Sequence, residues 1–437
     1  MRRIAAAMAL AGAVALAALL AGTARSSSPT KLTIWVGWSA GNELTSFTAL
    51  AAEYDKAHPD VTVKVVGGIT DDKIVAAIRS GNAPDVASSF NSYNVGNYCG
   101  TGGWIDLTPL MQKDHINASI FPPAPRYYTQ YAGKRCALPL LADDYGLYYN
   151  KSMFAAKGIT SPPRTISQLT ADAKKLTVRN SDGSLKVVGF DPFVGFYENT
   201  PERWIVAYGG KWNDGKGHAI LAKDPAWSKW AKWQKSLIDW YGYKNLVKFQ
   251  AGLGDEFSAS NAFEAGKVAM NFDGEWRVSF IKHEAPKLKY GTAPMAVDDA
   301  HANLYGAGYI NGTIIGIPRG GKHLDQSWAL VKYLTTNSHF LAQFSNDIRN
   351  VPTTTASLKS KEIIPDKNFA TFLTIFGNPH SSTSPIMASG AAYTNLVGAF
   401  FQKWQAGQVG NLAGGLAKLD SQLDAQVKQA KGGGSVP

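Results

Sequence analysis

"KLTIWVGW" (31–38), "GNELTSFTALAAEYDKAHP" (41–59), "VTVKVV" (61–66), "DDKIVAAIRSGNAP" (71–84) and "DVASSF" (85–90) follow in close succession, and their reading decides the fold. The first is rich in β-branched and aromatic residues and predicts a strand. In the second, Phe47, Leu50, Ala51 and Tyr54 recur at i, i+3, i+4 and i+7. That spacing predicts an amphipathic helix, ended near Pro59. The third predicts another strand. The fourth predicts a helix capped by Asp71 or Asp72, with Ile74, Ala77 and Ile78 on one face and Gly81 as its stop. A third strand opens at Asp85. Strand, helix, strand, helix, strand is the pattern of a parallel sheet in an α/β protein.

N-terminal to this unit, "MRRIAAAMALAGAVALAALLAGTA" (1–24) has two arginines, an uncharged Ala/Leu run and small residues at its end. It predicts a secretory signal. The alternative is an uncleaved membrane anchor, since Ile4 to Gly22 is long enough to span. Within it, "LAGT" is one residue from a bacterial lipobox, with Thr23 where the lipidated Cys would stand. The expected location is extracellular or at the cell surface, without a thioether-linked lipid. Beyond residue 30 no second apolar run reaches spanning length.

The chain has 437 residues, 45% hydrophobic and 18% charged, enough for two or three compact units. Its formal charge of +11 is scattered rather than blocked, so a solvated basic surface is expected and nucleic-acid binding is not. Cys99 and Cys136 are the only two cysteines, 37 positions apart. An exported chain with one pair is expected to oxidise it. Such a loop closure contributes about 3–4 kcal/mol by the chain-entropy argument. Two buried free thiols are the alternative. Eight scattered histidines show no ligand spacing, so neither metal nor cofactor is expected.

C-terminal to the opening unit the α/β theme continues. "ALPLLADDYGLYYNKSMFAAKGI" (137–159) predicts strand, polar break, strand and helix. "SPPRTISQLTADAKKL" (161–176) predicts a helix after a Pro-rich entry. Trp227, Trp230 and Trp233 recur at helical spacing and are expected to cover a core. "EAGKVAMNFDGEW" (264–276) predicts the end of a helix, a short buried strand and a Trp one step beyond it. "YINGTIIGIPRG" (309–320) predicts a strand and "HLDQSWALVKYLTT" (323–336) a helix. Leu412, Leu416, Leu419 and Leu423 mark a last helix before a flexible tail at 431–437.

Taken in order, "LTIWVGW…FTALAAEYDKAHPDVTVKVV", "GNAPDVASSFNSYNVG…GWIDLTPLM", "ALPLLADDYGLYYNKSMFAAKGI" and "FEAGKVAMNFDGEW" resemble the extracellular solute-binding proteins of ABC sugar importers, the maltose-binding-protein type. "YGAGYINGTIIGIPRGGKHLDQSWALVKYLT" extends the resemblance, which spans nearly all of residues 31 to 430. It implies a two-lobed periplasmic-binding-protein-like α/β fold, each lobe a sheet flanked by helices, with the ligand cleft between. It implies an N-terminal lobe of 31–142 and 311–351 and a C-terminal lobe of 143–310 and 352–430. It also implies a monomeric receptor, not an enzyme. Such a receptor binds a sugar or oligosaccharide, closes about a hinge and docks on the permease subunits of an importer.

A sugar presents apolar C–H faces and a rim of hydroxyls, so aromatic rings and acceptor carboxylates or amides suit it. Ligands of open α/β sheets sit beyond the carboxyl ends of strands. Trp276, where the family pattern places a stacking Trp, and Trp38 meet that condition. So do Ser89, Phe90 and Asn91 after the third strand. Asp143, Asp144 and Tyr145 lie at the first crossover, and one of the two carboxylates is expected to accept from the ligand. Glu198, Asn199 and Trp204 form an aromatic and polar loop, "YENTPERW". Gly308, Tyr309 and Asn311 lie at the second crossover, and Arg349 and Asn350 at the third. Asp273 is expected to cap the following helix, and Gly274 to let the backbone turn. Both signs of charge in modest number point to a neutral polyhydroxylated ligand. A non-sugar solute such as a polyamine, peptide or phosphorylated polyol is one alternative. A secreted glycoside hydrolase using Asp144 and Glu275 is another.

Overall fold

The computed structural model describes residues 28–39 and 41–432; the expected signal segment with Thr23, and 433–437 of the expected tail, lie outside them. Nine strands are described: β1 (Thr30–Trp35), β2 (Val61–Val66), β3 (Val86–Ser89), β4 (Leu138–Asn150), β5 (Val178–Arg179), β6 (Leu185–Phe190), β7 (Val268–Gly274), β8 (Tyr290–Ala293) and β9 (Ile310–Gly316). They run in the order β2-β1-β3-β9-β4-β7-β6-β5, with β8 on β4. β2, β1 and β3 are parallel, as their alternation with helices requires. β9 and β4 are antiparallel to their neighbours, which the simple parallel pattern does not anticipate.

β4 joins the two lobes. Leu138 to Asp144 pair with β9, and Tyr145 to Asn150 pair with β7 and β8. The polar break expected at Asp143-Asp144 is absent, because both residues keep their backbone pairing with Asn311 and Ile310. Strand alternation sends their carboxyls to opposite faces instead.

Each lobe has its own core. Leu32, Ile34, Phe47, Tyr54, Phe340 and Phe344 pack the helices Gly41–Ala57 and Ser338–Ile348 on the N-terminal sheet. Leu169, Phe190, Trp204, Trp227, Trp230 and Phe401 fill the other. Trp227 and Trp230 are fully buried, and Trp233 packs against the same core at Trp204 while its Nε1 donates to Thr170 Oγ1 at 2.8 Å. Cys99 and Cys136 form a disulfide within the N-terminal lobe, with a Cα–Cα distance of 5.5 Å. The free-thiol alternative is thereby excluded.

Several local readings change. Thr70 stands at the N-cap of the helix Asp71–Arg79. The Asp71 carboxylate instead accepts from Asn91 Nδ2 at 2.9 Å and Tyr98 Oη at 3.0 Å. The expected helix end at 264 is a run of turns. The last helix, Leu412–Gly432, enters the first two positions of the expected tail. Among the described residues no helix is long and apolar enough to cross a membrane.

Candidate functional site

A cavity of about 810 Å³ opens between the lobes, at the ends of β1, β3, β7 and the middle of β4. Its aromatic wall is made by Trp38, Phe90, Tyr93, Tyr145, Trp276, Phe257 and Phe280. Trp276 meets Tyr145 edge to face, with ring centroids 5.6 Å apart. Trp38 lies between Phe47, Phe90 and Phe344, at 5.3, 5.6 and 5.3 Å. Trp38 and Trp276 are 5% and 8% exposed, so each closes a core and faces the cavity at once. Phe90 is 41% exposed.

Two glycines explain how the rings lie so close to the backbone. A Cβ on Gly274 would sit 2.3 Å from the Trp276 ring, and one on Gly37 would sit 2.4 Å from the Phe90 ring. Gly274 has no positive φ. It makes room for a ring; it does not supply a turn. Asp273, likewise, does not cap the following helix, Arg277–Glu284. Its Oδ2 accepts from Arg277 Nε at 2.8 Å and Asn271 Nδ2 at 3.0 Å. Arg277 also reaches Glu264 at 3.2 Å, and this buried network fixes the helix that begins beside Trp276.

The polar wall is centred on the crossovers. Asn350 Nδ2 donates to Asp143 Oδ1 at 2.7 Å and to Glu275 Oε1 at 2.8 Å. Glu275 Oε2 accepts from the Asp144 backbone N at 2.9 Å. Burial pushes the Asp143 carboxyl up to about 7 and raises Glu275 well above the usual carboxylate range. Glu43, on the first turn of the helix Gly41–Ala57, rises to about 7 through burial and then through the negative charge of Asp143. Arg203 pairs with Glu198, donates to Tyr145 Oη at 3.1 Å and lies 4.0 Å over the Tyr145 ring. Ser92 Oγ donates to Asn311 Oδ1.

Of the residues expected from sequence, Trp38, Phe90, Asn91, Asp143, Tyr145, Glu198, Trp276, Asn311 and Asn350 line this cavity. The others do not, each for a visible reason. Ser89 Oγ accepts from the Asn91 backbone N and turns the loop after β3. Asp144 is fully buried on the opposite face of β4, beside the helix Phe369–Gly377, where burial holds its carboxyl well above the usual range. Asn199 donates to Asp191 O and accepts from the Trp204 indole, and Trp204 belongs to the lobe core. Gly308 lies under Ile375, which a Cβ would meet at 2.5 Å. Tyr309 is buried and its hydroxyl bonds those of Tyr93 and Ser384 at 2.9 and 3.0 Å. Arg349 donates to Ile364 O at 2.9 Å and covers the Phe369 ring.

Other lining residues escaped the sequence reading. Asn42 and Glu43 follow β1 just as Trp38 does, so the strand-end argument reaches them if carried four or five residues further. Glu202 and Arg203 sit inside the quoted loop "YENTPERW". Thr394 and Asn395 come from the distant helix Ala392–Gln405, for which no local signal exists. Both kinds of charged side chain occur in the lining, but unevenly: Glu43, Asp143, Glu198, Glu202 and Glu284 against Arg203 and His283. Among the described residues no cluster of three or more His, Cys, Asp or Glu is arranged to hold a metal ion.

Comparison with known proteins agrees with this architecture. The family described as bacterial extracellular solute-binding protein matches residues 49–371. The maltotriose-binding protein of Pyrococcus abyssi is 23% identical over 339 residues, 77% of this chain and 69% of that protein. A maltooligosaccharide ABC transporter solute-binding lipoprotein of Streptococcus pneumoniae is 25% identical over 320 residues, 68% of each chain. Among solved structures, CpMnBP1 with mannotriose bound superposes with a TM-score of 0.81 at 26% identity, covering 90% of this chain and all of that one. With its two lobes, shared β4 and interlobe cavity, the chain belongs to the bacterial extracellular solute-binding protein family.

Proposed function

We propose that this protein captures a sugar or oligosaccharide outside the cell and delivers it to the permease subunits of an ABC importer. The observation that carries the reading is the interlobe cavity of about 810 Å³, whose lining combines aromatic rings with acceptor side chains. Aromatic faces suit the C–H faces of a pyranose, and carboxylates and amides suit its hydroxyl rim. The relatives named for maltotriose and maltooligosaccharide, and the mannotriose-bound neighbour, support it. The ligand contacts we propose are the cavity residues Trp38, Phe90, Asn91, Asp143, Tyr145, Glu198, Trp276, Asn311 and Asn350.

β4 changes partners between Asp144 and Tyr145 and Val351 bridges Ala142, which supports lobe boundaries near these crossovers. We place the N-terminal lobe at 31–142 and 311–351 and the C-terminal lobe at 143–310 and 352–430. Closure would be a rotation about these crossovers. We read the protein as an exported monomeric receptor. The carboxyls considered for hydrolysis, Asp144 and Glu275, are fully buried and neither lines the cavity.

A thermal-shift screen of the purified protein against mono- and oligosaccharides tests the reading. A ligand that binds only the folded state adds about 2.7 kcal/mol at one hundred times its dissociation constant. The melting temperature should rise by a few degrees with one sugar class. A rise only with polyamines, peptides or phosphorylated polyols would keep the fold and discard the sugar.

A further inference from the structure

Charge inside the cavity runs against the charge of the chain. Glu43, Asp143, Glu198, Glu202 and Glu284 line a cleft whose basic side chains are Arg203 and His283, in a protein of formal charge +11. Arg203 is already engaged by Glu198 and Tyr145. His283 lies on the rim, with Nδ1 2.8 Å from Ser279 O. The Glu43 carboxyl has no hydrogen bond or ion pair among the described residues, and the positive charge that favours its ionised form is that of the buried Arg277, which does not line the cavity. Asp143 accepts from the Asn350 amide, and the Arg203 guanidinium, already paired with Glu198, also favours its charged form. Asn350 itself is 5% exposed on the same wall, and its Oδ1 accepts nothing among the described residues.

Glu43 on one lobe and Asp143 at the crossover line the same cavity, and the negative charge of Asp143 disfavours that of Glu43. The wall therefore offers acceptors, and more carboxyl groups than basic ones, in a partly dry site. A neutral hydroxyl would satisfy the acceptors but leave that imbalance. A protonated amine satisfies both, through charge-assisted hydrogen bonds. The aromatic rings still call for a ring-shaped ligand with apolar faces.

Resting on the reading of this cavity as a sugar site, we propose that the ligand is an unacetylated amino sugar, or an oligomer of one. Its ammonium group sits between Glu43 and Asp143, beside Asn350, and its ring lies against Trp276 and Phe90. The amine does not react; recognition is by charge and hydrogen bonding alone.

Matched sugars test this by titration calorimetry. Mono- to tetrasaccharides of the gluco, galacto and manno series are compared as 2-hydroxy, 2-amino and 2-acetamido forms, with spermidine as an amine without a ring. In at least one series the amino form should bind at least tenfold tighter than both partners, and the advantage should shrink as salt is raised. Glu43→Gln, in the first turn of its helix, should reduce that advantage at least fivefold. A hydroxyl or acetamido form binding tightest in every series that binds overturns the inference and leaves the sugar receptor standing. An amino advantage that survives both Glu43→Gln and Asp143→Asn overturns the assigned carboxylates. Binding of spermidine with no sugar of any form overturns the inference and the sugar reading together.

Discussion

Alanine at position 274 should dislodge Trp276 without altering the backbone. The added Cβ would lie 2.3 Å from Cη2 and Cζ3 of the indole. Carbon atoms pack at about 3.5–4.0 Å, so the ring must retreat by more than about 1 Å. Gly274 lacks a positive φ, so no backbone strain enters. β7 is buried along its whole length and Trp276 is 8% exposed, so the ring has little free space to take up. Overpacking of this kind costs about 1–3 kcal/mol. Losing the edge contact with Tyr145 adds about 0.5–1.5 kcal/mol. A platform displaced by that distance should lose at least tenfold in ligand affinity, about 1.4 kcal/mol. The assay is a double-mutant cycle of Gly274→Ala and Trp276→Ala, read by urea denaturation and by calorimetry with the ligand from the screen. Gly274→Ala should be costly with the indole present and nearly neutral without it. Equal cost in both backgrounds would show that the glycine serves something other than the ring, and the reasoning would fail.

Other consequences are as direct. Trp276→Ala alone should weaken ligand binding at least tenfold and move the apo melting temperature by only a few degrees; a large loss of apo stability would make the ring chiefly a core residue. Replacing Cys99 and Cys136 by Ser should lower stability by about 3–4 kcal/mol, from the 37-residue separation, without changing ligand preference, because both lie in one lobe; unfolding curves and a repeat of the ligand screen check both halves. Removing Arg277 as Arg277→Met strands Asp273 and Glu264 without their buried cation and should cost about 3–5 kcal/mol by denaturant unfolding. Asp143 titrates at about 7 in the fold against about 3.9 in the unfolded chain. Between those values the fold binds the extra proton, so its contribution is present at low pH and lost as pH rises from about 4 to about 7. Asp143→Asn should therefore flatten the fall in apo stability over that window; an unchanged slope would exclude Asp143 as its source.

Much of the fold is local and was legible. Phe47, Leu50, Ala51 and Tyr54 face the core because a helix repeats every 3.6 residues, and that period is written in the chain. The β1 and β2 segments read as strands for the same kind of reason, since their β-branched residues suit a pleated surface. The disulfide needed only two cysteines in an exported chain to be expected, but the folded chain had to bring them to 5.5 Å. The antiparallel entry of β9 between β3 and β4 had no local mark, because its partners lie more than 150 residues away.

The site divides along the same line. Trp276, Trp38 and Phe90 could be named because they stand at strand ends, a position visible in sequence. Asp143 and Asp144 could be named only as a pair. Strand alternation says that one faces the cavity and the other does not; the register of β4 against β9 decides which. Trp204 and Trp276 are the same residue type in similarly polar surroundings, yet one fills a core and the other a cleft wall. The acidity of the cleft was hidden for a related reason. Glu43, Asp143, Glu198, Glu202 and Glu284 are scattered over more than 240 positions of a basic chain and meet only when the two lobes face each other. Sequence alone therefore determined the elements, their buried faces and the export class expected of the chain. Which side chains share a cavity, and with what net charge, was decided by long-range pairing, because proximity across a cleft leaves no trace in neighbouring residues.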